Sequence, residues 1–200
     1  MRHYFYHGFD PGYIDKETVE HMLDIINSGG IKTRKNIIGH QDESFNHVCL
    51  YRKNDNYDYT SEKMFLESAR AGWIDNCMVF VISDDIDAKY LPPNTEIEGM
   101  GLPTNLVDEW RYFDDIPLDK IIGLALPLDS FKSTLEGEDT ILKPEEIEEL
   151  RKSLKELKRV CDKLGLKVFN SEKKNFTDLL DSKLQLGESE KDEQEDDITI

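Results

Sequence analysis

The stretch Asn105-Leu-Val-Asp-Glu-Trp-Arg-Tyr-Phe-Asp-Asp-Ile-Pro-Leu-Asp-Lys-Ile-Ile-Gly-Leu-Ala-Leu-Pro-Leu128 decides how this chain is read. Two apolar, strand-like runs flank a turn. The second, Ile121 to Leu128, shows no alternation and almost no polar side chains, the pattern of a strand buried on both faces. Glu109 stands where the first run begins, beside Trp110. A carboxylate there is either a solvated edge residue or a group held for chemistry.

Outward from this stretch, further elements alternate in type. Residues 3 to 9, His-Tyr-Phe-Tyr-His-Gly-Phe, read as an opening strand, which Asp10-Pro-Gly12 breaks. Val19, Met22, Leu23, Ile25 and Ile26 recur at helical spacing over Glu17 to Asn27, with Asp15 as N-cap and Ser28-Gly-Gly30 as terminator. Ile31 to Gly39 is basic and irregular. His47 to Arg52 is a short strand, followed by a polar loop to Thr60. A helix is expected over Glu62 to Asp75 around Phe65, Leu66, Ala69 and Trp73. Cys77 to Ile82 is the clearest strand, again apolar throughout. Ser83 to Leu106 reads as a long loop, a length more often functional than idle.

Past Leu128 a polar linker leads to a helix opened by Lys143-Pro144-Glu-Glu, running to Lys163 and closed by Gly165. Leu166 to Phe169 is a final strand. The expected class is therefore α+β, with one domain over residues 1–170. Residues 171–200 form an acidic tail, ten acids against four lysines, whose composition predicts disorder.

Composition excludes several roles. A net charge of −17 repels a phosphate backbone, which argues against duplex nucleic acid and anionic membrane surfaces. The same charge and the tail would suit a basic protein partner. Cys49, Cys77 and Cys161 lack paired spacing and are odd in number, as expected of reduced thiols in a cytoplasmic protein. Cys77 and Cys161 read as core positions. His3, His21, His40 and His47 have no metal-ligand spacing with acids, so no metal is expected. No apolar run reaches the roughly 18 residues of a membrane span, and the N-terminus lacks a signal-peptide core.

Three strands each present a residue suited to chemistry: His7 in the first, Tyr51 or Cys49 in the second, Glu109 at the start of a later one. The order Tyr6-His7-Gly8, a helix ending in Gly-Gly-Ile31, Val-Cys-Leu-Tyr51, then Asp-Glu-Trp-Arg before Ile-Pro-Leu-x-x-Ile-Ile-Gly resembles the ADP-ribosyltransferase superfamily. The likeness is to its PARP/diphtheria-toxin-like, His-Tyr-Glu type and covers roughly residues 3 to 128. It implies a split β-sheet core with flanking helices and NAD as substrate, transferred as ADP-ribose to an unidentified acceptor, a protein among the candidates, with release of nicotinamide.

By that resemblance Glu109 stabilises the oxocarbenium character that develops as the nicotinamide–ribose bond breaks, and holds a ribose 2′-hydroxyl. His7 bonds the adenosine-side ribose, and Gly8 lets the nicotinamide amide approach the backbone. Tyr51 stacks on the nicotinamide ring. The loop from Ile97 to Leu106 takes the place of the target-recognition turn. Phe9 stands where relatives often carry Thr or Ser, and Val107 where many protein-modifying members have Gln or Glu, which leaves the acceptor open. Two other functions stand beside this one: a non-catalytic acidic interaction protein, such as an immunity protein or nucleic-acid mimic, and an NAD or ADP-ribose sensor.

Overall fold

The computed structural model describes residues 4–8, 14–33, 36–37, 46–52, 78–91, 108–138 and 140–172. The helix expected over 62–75, the loop 97–106, Phe9, Cys77, Val107 and the tail from 173 onward lie outside them. The described elements are, in chain order, β1 (Phe5–Gly8), α1 (Lys16–Asn27), β2 (Gly30–Ile31), β3 (Val48–Arg52), β4 (Val79–Ile82), β5 (Lys89–Leu91), β6 (Asp108–Tyr112) and β7 (Ile116–Pro117). A 3-10 turn over Leu118–Lys120 follows, then β8 (Ile121–Leu126), α2 (Leu128–Leu135), α3 (Pro144–Leu164) and β9 (Lys167–Asn170).

The helices begin and end where local chemistry dictates. Asp15 accepts the Thr18 N–H at 2.9 Å and so caps α1, and Gly29 takes the positive φ of 86° that follows its last turn. Pro144 opens α3, the Glu146 carboxylate accepts the Lys143 N–H at 2.7 Å, and Gly165 ends the helix at φ 70°. Each helix turns one apolar stripe inward: Val19, Met22, Leu23 and Ile26 from α1, Leu150, Leu154, Leu157 and Cys161 from α3.

Those stripes pack on one face of a seven-stranded sheet of order β5-β6-β3-β1-β4-β8-β9, while β2 pairs with β7 in a separate ladder. Phe5, Leu50, Phe80, Ile82, Leu124 and Leu126 meet the helices there. The other face carries a second buried cluster of Tyr6, Tyr51, Val79, Val81, Ala125 and Phe169. Burial on both faces is the reason β4 and β8 read as unbroken apolar runs, and each such side chain stabilises the fold by about 1.5–3 kcal/mol. All pairings in the large sheet are antiparallel except β8 with β9, whose parallel crossover runs through α2 and α3.

The structure departs from the sequence reading, or adds to it, in five places. The two runs of the opening stretch, β6 and β8, are separated in the sheet by β3, β1 and β4. The segment read as a linker after Leu128 begins as helix α2. Within the basic segment, Ile31 joins a ladder with Ile116, and Lys89–Leu91 forms an edge strand on β6 inside what read as loop. Packing also continues past residue 170: Ser171 is fully buried and donates its N–H to Leu126, and the Glu172 carboxylate caps α2.

Candidate active site

Strand register, rather than proximity in sequence, assembles the candidate residues. Tyr51 of β3 is the Cα partner of Tyr6 on β1 and of Glu109 on β6, and Glu109 is in turn the partner of Leu91 on β5. On the other side Tyr6 faces Val81, Val81 faces Gly123, and Gly123 faces Lys167. One row thus crosses all seven strands with Tyr51 and Glu109 adjacent in it. Directly opposed positions in an antiparallel pair hold their Cβ atoms about 5 Å apart.

The anchor for this register lies on the helix-covered face. Trp110, next to Glu109, packs against Phe5 with ring centroids 5.4 Å apart and against Tyr90 at 5.2 Å. The Arg52 guanidinium lies over both the Phe5 and Trp110 rings, at 5.1 and 5.6 Å. With Trp110 fixed on that face, alternation puts position 109 on the other, beside Tyr51.

β1 and β3 pair only at Phe5↔Arg52 and Tyr6↔Tyr51, although both strands run on. β1 stays with β4 throughout, down to His7↔Phe80 and Gly8↔Val79. Where the β1–β3 ladder stops, the His7 side chain bridges instead, its Nδ1 2.8 Å from the Cys49 carbonyl oxygen. A carbonyl only accepts, so Nδ1 carries the proton and a neutral ring presents Nε2 as an acceptor. Burial lowers the His7 pKa; the Cys49 bond opposes this and His21 adds to it. The ring is therefore held toward its neutral form.

The structure brings Tyr51 and Glu109 into one row. His7 stands one residue beyond that row, in register with Phe80, which belongs to the opposite face of the pleat. Gly8 ends β1. Cys49, the other candidate for the second motif, lies two residues from Tyr51 on the same strand, half-buried, with Arg111 as its Cα partner.

Two supporting features were not legible in the motifs. Asp115, in the turn after β6, accepts the Thr33 N–H at 2.8 Å, the Asn36 amide at 2.9 Å and the Thr33 hydroxyl at 3.2 Å, with Lys32 Nζ at 3.4 Å. Burial raises its pKa, but these four partners outweigh it and hold the carboxyl below its usual range. Arg111 and Lys89 are Cα partners on the same face as position 109. Arg111 could have been found by counting two residues along the strand from Glu109; Lys89 could not, because β5 reads as loop.

Cys161 is a core thiol, pushed up to about 12 by burial and then by Asp162, and so is inert at neutral pH. Among the described residues no group of three or more His, Cys, Asp or Glu side chains could hold a metal ion. No helix among them is long and apolar enough to cross a membrane. No family model, curated protein or solved structure matches the chain.

Proposed function

We propose that this chain is an NAD-dependent ADP-ribosyltransferase that breaks the nicotinamide–ribose bond and transfers ADP-ribose to an acceptor nucleophile. The observation that supports it best is the direct register of Tyr51 with Glu109, on strands adjoining the point where β1 and β3 part. The residue types required by the resemblance thus arise from three consecutive strands of one sheet, β1, β3 and β6.

The chemistry asks little covalent work of the protein. The C1′–N bond breaks, its electron pair leaves with nicotinamide, and positive charge spreads over C1′ and the ring oxygen. A carboxylate at position 109 is the group that stabilises this charge, and loss of one such electrostatic partner costs about 10²–10³ in rate. The acceptor supplies the electron pair for the new bond to C1′ and gives its proton to solvent or to a nearby base. Tyr51, buried in the cluster on its face of the sheet, is the aromatic residue that the resemblance sets against the leaving ring. His7, which the resemblance sets on a ribose, stands on the other face of the pleat from Tyr51 and Glu109 with its Nδ1 engaged by the Cys49 carbonyl, so the reading rests on those two.

Incubation of the full chain with NAD labelled in the adenosine half, with nicotinamide release followed in parallel, tests the proposal. Release that falls at least 100-fold in Glu109→Gln, with NAD binding retained, is the expected result. Absence of both binding and release would sink it. Binding without Glu109-dependent turnover would make the chain an NAD sensor.

A further inference from the structure

We infer that Arg111 and Lys89 form a diphosphate subsite beside the Tyr51–Glu109 pair, an inference that rests on the NAD reading above. The two residues are Cα partners across β6 and β5, and Cys49 faces Arg111 from β3. The row Lys89–Arg111–Cys49 therefore lies parallel to Leu91–Glu109–Tyr51, on the same face, two residues along each strand. Two residues of extended strand span about 6.7 Å, a distance on the scale of one ribose from its anomeric carbon to its 5′-phosphate. A dinucleotide whose reacting C1′ sits at position 109 would bring its diphosphate to the Arg111 row.

Charge makes such a row necessary. A dinucleotide diphosphate carries two negative charges and must approach a chain of net −17 and a carboxylate at the reacting centre. Among the described residues of β3, β5 and β6, the cations on this face are Arg111 and Lys89. Arg52 lies on the opposite face, over Phe5 and Trp110. Arg111 is half-buried, which strengthens its field, and its planar fork suits bidentate contact with phosphate oxygens. Lys89 Nζ is 2.8 Å from both Asp87 oxygens, but that pair is exposed and weak, so a diphosphate can compete for the ammonium.

Titration calorimetry of the full chain with inorganic pyrophosphate, NAD and nicotinamide separates the possibilities. Pyrophosphate and NAD are each expected to bind about tenfold or more weakly to Arg111→Gln, with nicotinamide binding unchanged. Arg111→Lys should lie between, since it keeps the charge and loses the fork. Lys89→Gln, at an exposed position where folding is not at risk, should weaken both by a few-fold. Arg111-dependent binding of pyrophosphate without any binding of NAD would keep the subsite and overturn the transferase reading. Wild-type protein that ignores pyrophosphate, or Arg111 and Lys89 variants within twofold of wild type, would overturn the subsite; Glu109-dependent turnover of NAD in those variants would leave the transferase reading standing.

Discussion

The imidazole Nδ1 of His7 lies 2.8 Å from the Cys49 carbonyl oxygen, and this one bond replaces the backbone ladder where β1 leaves β3. The residue is half-buried, and burial takes its pKa below the ordinary 6.5. The folded chain therefore releases a proton that the unfolded chain still holds. Stability contributed by neutral His7 is complete above pH 6.5 and is lost as pH falls from there toward the folded pKa, by at most about 1.4 kcal/mol per pH unit. Urea unfolding between pH 7.5 and 5 checks this: wild type should weaken as pH drops, and His7→Gln should flatten that slope. An unchanged slope would mean the dependence arises elsewhere.

Asp115 supplies a second, separate pH window. Its carboxyl titrates below the ordinary 3.8, so its contribution is present above that value and is lost as pH falls further, through the folded pKa. Asp115→Ala leaves the fully buried Thr33 N–H without its acceptor, which costs about 1–3 kcal/mol at neutral pH. Asp115→Asn keeps an acceptor, should cost less, and should remove the contribution of this group to the acid limb. Equilibrium unfolding of the three proteins at pH 7 and pH 3 distinguishes them; equal stabilities at pH 7 would show that the clamp contributes nothing.

Glu172 caps a helix that begins 44 residues earlier in the chain. Its carboxylate accepts the N–H groups of Asp129 at 2.6 Å and Ser130 at 3.0 Å and the Ser130 hydroxyl at 2.6 Å. Truncation after Asn170 should therefore destabilise the domain by about 0.5–2 kcal/mol, the usual cost of a lost N-cap, relative to truncation after Glu172, which keeps the cap. Thermal melts of the two truncations decide, and matching melting temperatures would refute the cap.

That helix also marks the limit of what could be read from the chain alone. α1 and α3 carry their own caps, stripes and terminating glycines within the segment, so both were legible. α2 has Pro127 before it and no local side-chain cap, and its first turn is completed by Glu172 through tertiary contact. β5 is three residues long and pairs only because β6 presents an edge. β6 and β8 read correctly as strands, yet nothing local says that three other strands lie between them. The same holds for the site: Glu109 and Tyr51 were individually visible, and their adjacency exists only in the β3–β6 register.

Gly123 tests the far end of the same row. A Cβ there would stand 2.0 Å from the Lys167 carbonyl oxygen and 2.7 Å from its carbon, both backbone atoms of β9. Gly123→Ala cannot be relieved by a side-chain rotation and should cost about 3 kcal/mol or more, by forcing β9 off β8. Gly137→Ala is the control: its φ is 78° but nothing lies within 4 Å, so only the left-handed backbone penalty of about 1–2 kcal/mol applies. Comparable losses in urea midpoints would show that the β8–β9 approach is looser than its geometry.

The Tyr51–Glu109 register makes a kinetic prediction that a merely structural pair would not. Tyr51 belongs to the buried cluster that holds Tyr6, Val79 and Val81, so removal to Ala would confound folding with function. Tyr51→Phe keeps the aromatic face and should leave kcat and KM for NAD close to wild type. Tyr51→Leu keeps most of the volume and loses the ring; it should raise KM by about 2- to 10-fold, the equivalent of about 0.5–1.5 kcal/mol of aromatic stacking. Glu109→Gln should act on the other parameter, lowering kcat by about 10²–10³ with little change in NAD affinity, because the carboxylate matters most when charge develops at C1′. Steady-state nicotinamide release from the three variants, with melting temperatures as a folding control, separates the two effects. A fall in kcat for Tyr51→Phe as deep as that for Glu109→Gln would show that the tyrosine hydroxyl, rather than its ring, carries the role at this position.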